Sequence, residues 1–309
     1  STNFLEIDSS NRDGAVSNGV VDAQALNGIY LTEVTGDLRL KFVDSDVGDA
    51  SLVTLAGSIV DGRAGAGLVG DAAVILANSI DLQANGGSIG SALASDGGDV
   101  EIDSSRQATG DVGLEATNDI YLTEVDGTLR LVQARTPTAP ATAGGGNIHL
   151  TVRESPVADS LDENLHLLDD AGMSVLFVEN APRAVDHGFI RAGGWVELRI
   201  GDDLIDHAAT LITAGEQIDI YLDDLNNGSA DGDFGYGAST TLRGTLTPGA
   251  GRVTSIYGYT DVDRITFDQT TLGGWTRVYG SHLKTAAGST APLGDGEDLF
   301  TVDRLQTMT

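Results

Sequence analysis

The 309 residues carry 46 Asp and Glu against 17 Lys and Arg, a formal net charge of −29, and cations this sparse exclude sequence-independent nucleic-acid binding and attraction to anionic membranes. Cysteine is absent, which removes disulfides, thiolate zinc sites and thiol nucleophiles, and no run of 18 or more apolar residues is available to span a membrane. Hydrophobic residues make up 40% and aromatics only 5%, so the core must be built from Val, Ile, Leu and Ala, in a chain whose 41 glycines let it bend often.

From the N-terminus, Ser1 to Ile7 (STNFLEI) has neither the basic start nor the apolar run of a signal peptide. A chain that begins without Met reads as a mature product or a piece of something longer. Short strands with period-2 alternation then follow one another: Ile29/Leu31, Leu38/Leu40, Val53/Leu55, Ile80/Leu82, Val100/Ile102, Ile120/Leu122, Leu129/Leu131 and Ile148/Leu150. Helical spacing is confined to Ser160 to Ala171 (SLDENLHLLDDA), where Leu161, Leu165 and Leu168 fall at i, i+4 and i+7 behind a Ser160 cap with Glu163 three residues on. One or two helical turns are predicted there. Strands resume at Val196/Leu198/Ile200, Ile218/Ile220/Leu222 and Ile265/Phe267.

The first half contains a duplication. Asn27 to Leu40 (NGIYLTEVTGDLRL) and Asn118 to Leu131 (NDIYLTEVDGTLRL) agree at 11 of 14 positions with an offset of 118 − 27 = 91, and LEIDSS from Leu5 is echoed by VEIDSS from Val100 at an offset of 100 − 5 = 95. AGEQIDIYLDD at Ala214 is a weaker echo, and AGGWVELRI (Ala192 to Ile200) and LGGWTRVYG (Leu272 to Gly280) each lead from Gly-Gly-Trp into a strand. The organisation expected is a duplicated region over 1–155, and over 156–309 either its continuation or a second all-β domain with calcium-type loops.

Many short strands can make a sandwich, a barrel or a solenoid. Scarce aromatics and inward residues of similar size suit identical levels stacked about 4.8 Å apart better than the wide core of a sandwich. The fold class expected is therefore all-β, a parallel β-helix (β-solenoid) with acidic, Gly-rich turns. Coils of about 20 residues would give roughly 15 levels and a rod of about 70 Å at that spacing.

The segment GSIVDGRAGAGLVGDAAVILANSIDLQANGGSIGS (Gly57 to Ser91) resembles the filamentous-haemagglutinin type of β-helical repeat. The IYLTEVxGxLRL units resemble repeats of giant bacterial exoproteins and surface adhesins. LGDGEDLFTVDRL (Leu293 to Leu305) is similar to the end of an RTX calcium nonapeptide, with Asp295 in place of a glycine and a single copy present. The resemblance implies an extracellular location at a bacterial cell surface, a structural or adhesive role, and calcium as the ligand.

Oxygen-rich loops with flexible glycines are suited to calcium. The densest is Asp223 to Gly237 (DDLNNGSADGDFGYG), with Asp223, Asp224, Asn226, Asn227, Asp231 and Asp233, though it lacks the Glu that closes an EF-hand loop. Asp44/Asp46/Asp49, Asp261/Asp263 and Asp295/Glu297/Asp298 are further candidates. No catalytic constellation is visible: His149, His166, His187, His207 and His282 lack H-x-H or H-E-x-x-H spacing, and the runs at Gly65 to Gly70 and Gly144 to Gly146 read as turns. Arg39 and Arg130, with Glu33 and Glu124, occupy equivalent duplicated positions and are expected to form a charge ladder on one outward face. Trp195 and Trp275 are expected to pack at buried corners, with stacking on carbohydrate as the alternative.

The expectation is a non-enzymatic, calcium-stabilised extracellular module that pairs end to end with copies of itself or with tandem modules, in a surface fibre, filament or giant adhesin, with glycans or cell surfaces as possible partners. The alternatives are a carbohydrate-active β-helix enzyme, a polysaccharide lyase or glycosidase using paired carboxylates on one face, and a glycan-binding module without turnover.

Overall fold

A computed structural model describes residues 4–9, 19–63, 72–93, 98–106, 110–137, 145–154, 162–169, 188–224, 237–258, 262–280 and 298–306. These residues form strands and turns without a helix, gathered into a 14-stranded and an 11-stranded sheet in which every pairing is parallel. The wide sheet takes β1 (Leu5–Ile7), β3 (Gly28–Glu33), β5 (Asp49–Thr54), β8 (Ile80–Ala84), β10 (Val112–Ala116), β12 (Leu129–Arg135), β15 (Phe189–Ala192), β18 (Leu211–Ala214), β21 (Thr245–Thr247), β23 (Arg264–Leu272) and β25 (Leu299–Gln306). The narrow sheet takes β2 (Val21–Ala25), β4 (Leu38–Ser45), β7 (Ile75–Leu76), β9 (Val100–Asp103), β11 (Ile120–Glu124), β13 (Ile148–Val152), β16 (Val196–Ile200), β19 (Ile218–Tyr221), β22 (Val253–Tyr257) and β24 (Trp275–Tyr279). The chain thus visits the two sheets alternately. Pairing of β13 with β16 and of β12 with β15 carries both sheets across residue 155.

The levels are fewer than about 20 residues per coil would give. Register partners advance by 52 − 31 = 21 residues from Leu31 to Leu52, then by 82 − 52 = 30 to Leu82 and 114 − 82 = 32 to Leu114. Some strands are continuous at one level and split at the next, which absorbs these extra residues. β12 faces β14 (Leu165–Leu167) with its first half and β15 with its second, and β23 faces β20 (Ser239–Leu242) and β21 in the same way. β4 likewise faces β6 (Ile59–Asp61) and then β7.

The helix expected around Leu165 is a strand. Leu165 and Leu167 point inward against Leu129 and Leu131, while His166 lies half-buried between them. Two inward leucines plus Leu168 in the following turn imitate helical spacing, and burial beside an existing parallel edge decides for the extended form.

The core is a set of aliphatic columns perpendicular to the strands. In the wide sheet one column runs Leu31, Leu52, Leu82, Leu114, Ala134, Ile190, Ile212, Leu246 and Leu272. In the narrow sheet another runs Val100, Leu122, Leu150, Leu198, Ile220, Ile256 and Val278. Each fully buried Leu or Ile stabilises by about 1.5–3 kcal/mol relative to exposure.

The turns stack by a second device. At one corner Ser58 N–H donates to Asp37 Oδ1 (2.8 Å), Ser88 N–H to Ser58 Oγ (3.0 Å), Asp119 N–H to Ser88 Oγ (3.2 Å), Asn147 N–H to Asp119 Oδ1 (2.9 Å) and Trp195 N–H to Asn147 Oδ1 (3.1 Å). Each short polar side chain accepts from the backbone of the next level, so a turn residue of one level positions the next. This explains the abundance of Asp, Asn and Ser at turns without any ligand.

Candidate metal centre

The acidic residues singled out in the sequence divide into several groups. Asn226, Asp231, Asp233, Asp261 and Asp295, with Asn227 and Glu297, lie outside the described residues. Asp263 is wholly buried, accepts the Ala238 N–H at Oδ1 (3.0 Å) and donates its own N–H to Asp298 Oδ1 (3.2 Å). These two carboxylates therefore clasp neighbouring levels through backbone donors. Asp44 and Asp46 both face Arg106, at 3.0 and 3.2 Å. Asp49 accepts from Asn78 Nδ2 and Ser79 N–H. Asp223 and Asp224 follow β19 and are buried, with Asp224 Oδ2 2.8 Å from Arg199 Nη1.

The densest described carboxylate group is one that local sequence does not reveal. Glu154 lies two residues beyond β13, Asp202 two beyond β16, and Glu163 two before β14, and one carboxylate oxygen from each lies within 4.8 Å of the other two. Register creates the group: Val152 pairs with Ile200, which carries Glu154 alongside Asp202. Asp202 Oδ2 accepts the Glu163 N–H at 2.6 Å, and Asp202 N–H donates to Glu163 O at 3.1 Å. Gly201 sits at the middle, where a Cβ would lie 2.7 Å from Glu154 Oε2 and 2.8 Å from Glu163 Cβ, so a side chain there would push the acids apart. Asp223, at φ 52°, donates its N–H to Asp202 O (3.3 Å) and brings the Asp223–Asp224 pair alongside.

Glu154 and Glu163 are buried, and carboxylates this close repel one another unless a proton or a cation sits among them. Hard oxygens with no nitrogen or sulfur in the set are the donors that calcium, magnesium and manganese take. The residues fit such an ion: Glu154, Glu163 and Asp202 would hold it, with Asp223 adjacent.

Elsewhere buried acids have other solutions. In the second copy of the duplicated block, Glu124 accepts from Ser104 N–H (2.9 Å) and Ser104 Oγ (2.6 Å), and full burial holds its carboxyl well above the usual range. The first copy repeats this clamp between Glu33 and Ser9. Glu101 is pushed up to about 8, chiefly by burial and then by its hydrogen bond and repulsion with Asp61, while Arg63 bridges both acids.

The charge ladder expected from Arg39, Arg130, Glu33 and Glu124 does not form. β3 and β12 belong to the wide sheet and β4 and β11 to the narrow one, so equivalent residues sit on opposite sheets, and both glutamates are buried. Trp195 lies half-buried with its ring 6.5 Å from that of Tyr121, whereas Trp275 is 77% exposed rather than buried at a corner. On the outer face of the narrow sheet Tyr221, Tyr257 and Tyr279 stack ring on ring at 4.7 and 4.9 Å, with the Arg199 guanidinium 4.5 Å over Tyr221. No protein-family model, curated protein or solved structure matches the chain.

Proposed function

We propose that the chain is a parallel β-solenoid acting as a structural or adhesive module of an extracellular bacterial surface fibre, filament or giant adhesin, stabilised by calcium and assembling end to end with further copies of itself or with tandem modules. The observation that carries this reading is the exposure, among the described residues, of apolar positions that face the core at both ends of the stack. At the first level Leu5 is 63% exposed, although its strand position faces the core. At the last level Phe300 and Val302 pair with the inward Ile265 and Phe267, yet Val302 is 61% exposed. Among the described residues, β1 and β2 at one end and β24 and β25 at the other each pair on one side only. Two apolar, hydrogen-bond-hungry edges at opposite ends of one stack favour head-to-tail addition, the arrangement that generates fibres.

Calcium enters through the Glu154–Glu163–Asp202 corner. A divalent ion there would relieve repulsion between levels, and across the outside of a chain with a net charge of −29 cations would lessen repulsion between modules. The likeness to adhesin and RTX repeats agrees with this reading. Glycan binding is a second reading favoured by one observation, the exposed Trp275 ring on the same outer face as the tyrosine stack, four residues from Tyr279 along β24.

Electron microscopy of the purified chain with calcium, and again after chelation, tests the main reading. Filaments that appear with calcium, and that a Val302→Lys variant fails to form, are the expected result. Discrete particles under both conditions would overturn end-to-end assembly, and cleavage of a polysaccharide by those particles would replace it with an enzyme.

A further inference from the structure

Two histidines 41 residues apart in sequence are brought together by the stacking alone. His166 lies on β14, and His207 follows β17 (Leu204–Ile205), the strand paired with β14 at the next level. Their Nε2 atoms are 3.1 Å apart, with ring planes tilted by 45°. Both rings are half-buried, and Ala208 and Ala209 beside them are exposed, so the pair opens toward solvent.

Each ring is held in place. The His207 turn is closed by Thr210, which accepts the His207 N–H at Oγ1 (3.3 Å) and returns both its hydroxyl (2.8 Å) and its N–H (3.0 Å) to His207 O. Asp206, one residue earlier, is buried and accepts the backbone N–H groups of Arg243 and Gly244 from the following level. His166 is fixed by Leu165 and Leu167 in the core.

We propose that His166 and His207 are the protein ligands of a divalent transition-metal site, of the zinc, nickel and copper class, whose remaining positions are filled by water. The separation supports this. Two metal–nitrogen bonds of about 2.0–2.1 Å whose nitrogens stand 3.1 Å apart enclose roughly 95–102°, within the range of tetrahedral and square geometries. Imidazole nitrogen is the donor these metals take and calcium does not, so the site is chemically separate from the acidic corner. Binding requires neutral imidazole. The Asp169 carboxylate supplies a countercharge near His166, while Arg130 is itself engaged by Asp111 at 3.2 Å.

The test is calorimetric titration of the chelator-treated full chain with zinc, in excess calcium so that the acidic corner is occupied by the harder ion. One equivalent of zinc is expected to bind, with affinity falling at least tenfold in both His166→Gln and His207→Gln, each checked for folding by its melting curve. Electron paramagnetic resonance of the copper(II)-loaded wild type should show coupling to two equatorial nitrogens, which keeps the test valid if a variant fails to fold. Absence of zinc binding, affinity unchanged in both variants, or a copper spectrum without paired nitrogens would each overturn the site and leave the pair as an imidazole–imidazole hydrogen bond.

Discussion

The two copies of the duplicated block encode the same local structure and end in different surroundings. VEIDSS forms β9 in the interior of the narrow sheet with Val100 and Ile102 fully buried, whereas LEIDSS forms β1 at the open edge of the wide sheet with Leu5 mostly exposed. IYLTE becomes β3 in one sheet and β11 in the other. Yet the Ser–Glu clamp survives in both, and Gly36 and Gly127 take the same left-handed φ, 76° and 69°. The repeat therefore specifies a strand, a turn and a clamp, while sheet identity and burial come from the level at which the block happens to stand.

Core truncation gives the largest expected contrast between the interior of the second copy and the outermost level of the first. Leu122→Ala removes a fully buried side chain from the middle of the narrow-sheet column and should cost about 2–5 kcal/mol. Leu5→Ala, at the exposed end, should change stability by no more than about 0.5 kcal/mol. Urea unfolding of both variants reads the difference. Equal losses would mean that the first level is covered and that the ends are not open.

How much of this was legible follows from the range of the signals. Strand phase was readable wherever alternation was clean: Ile80/Leu82, Ile120/Leu122 and Val196/Leu198/Ile200 all face inward. It failed at SLVTL, where Leu52 and Val53 are adjacent and either phase alternates. Leu52 faces the core and Leu55 is exposed, because the neighbouring leucines Leu31 and Leu82 fix the register. The site was less legible for the same reason. Short-range acidic spacing pointed to Asp44, Asp46, Asp263 and Asp298, which bind arginine or backbone. The Glu154–Glu163–Asp202 corner and the His166–His207 pair each join different levels and leave no local motif.

The duplicated arginines sharpen the comparison at intermediate size. Arg130 sits one level from a fully buried Asp111 and pairs with it, while Arg39 has a buried Nε with no hydrogen-bond partner. Arg130→Met withdraws a cation from a buried carboxylate and should cost about 1–3 kcal/mol, whereas Arg39→Met, which removes an unsatisfied donor, should be close to neutral. Thermal melts of the two variants at one pH decide it. A larger loss at Arg39 would show that its head group has a partner that the first copy supplies and the second does not.

A third contrast lies in pH dependence, at Glu101, whose counterpart in the first copy is Glu6. Glu6 is exposed, and Glu101 is buried against Asp61 with its carboxyl raised to about 8. A carboxyl raised on folding holds a proton that the unfolded chain releases at about 4.3. Its stabilising contribution is therefore complete below that value and is lost as pH rises through 8. The melting temperature of the wild type should fall between pH 5 and 9, by about 2–4 °C for each kcal/mol lost. Glu101→Gln keeps a donor to Asp61 without a titrating proton, so it should flatten this part of the profile and melt above the wild type at pH 9. A wild-type profile that rises over that range, or a Glu101→Gln profile that keeps the full slope, would mean that Arg63 holds Glu101 ionised. The buried acids of the second copy would then be paired charges, and burial alone would not separate the two copies electrostatically.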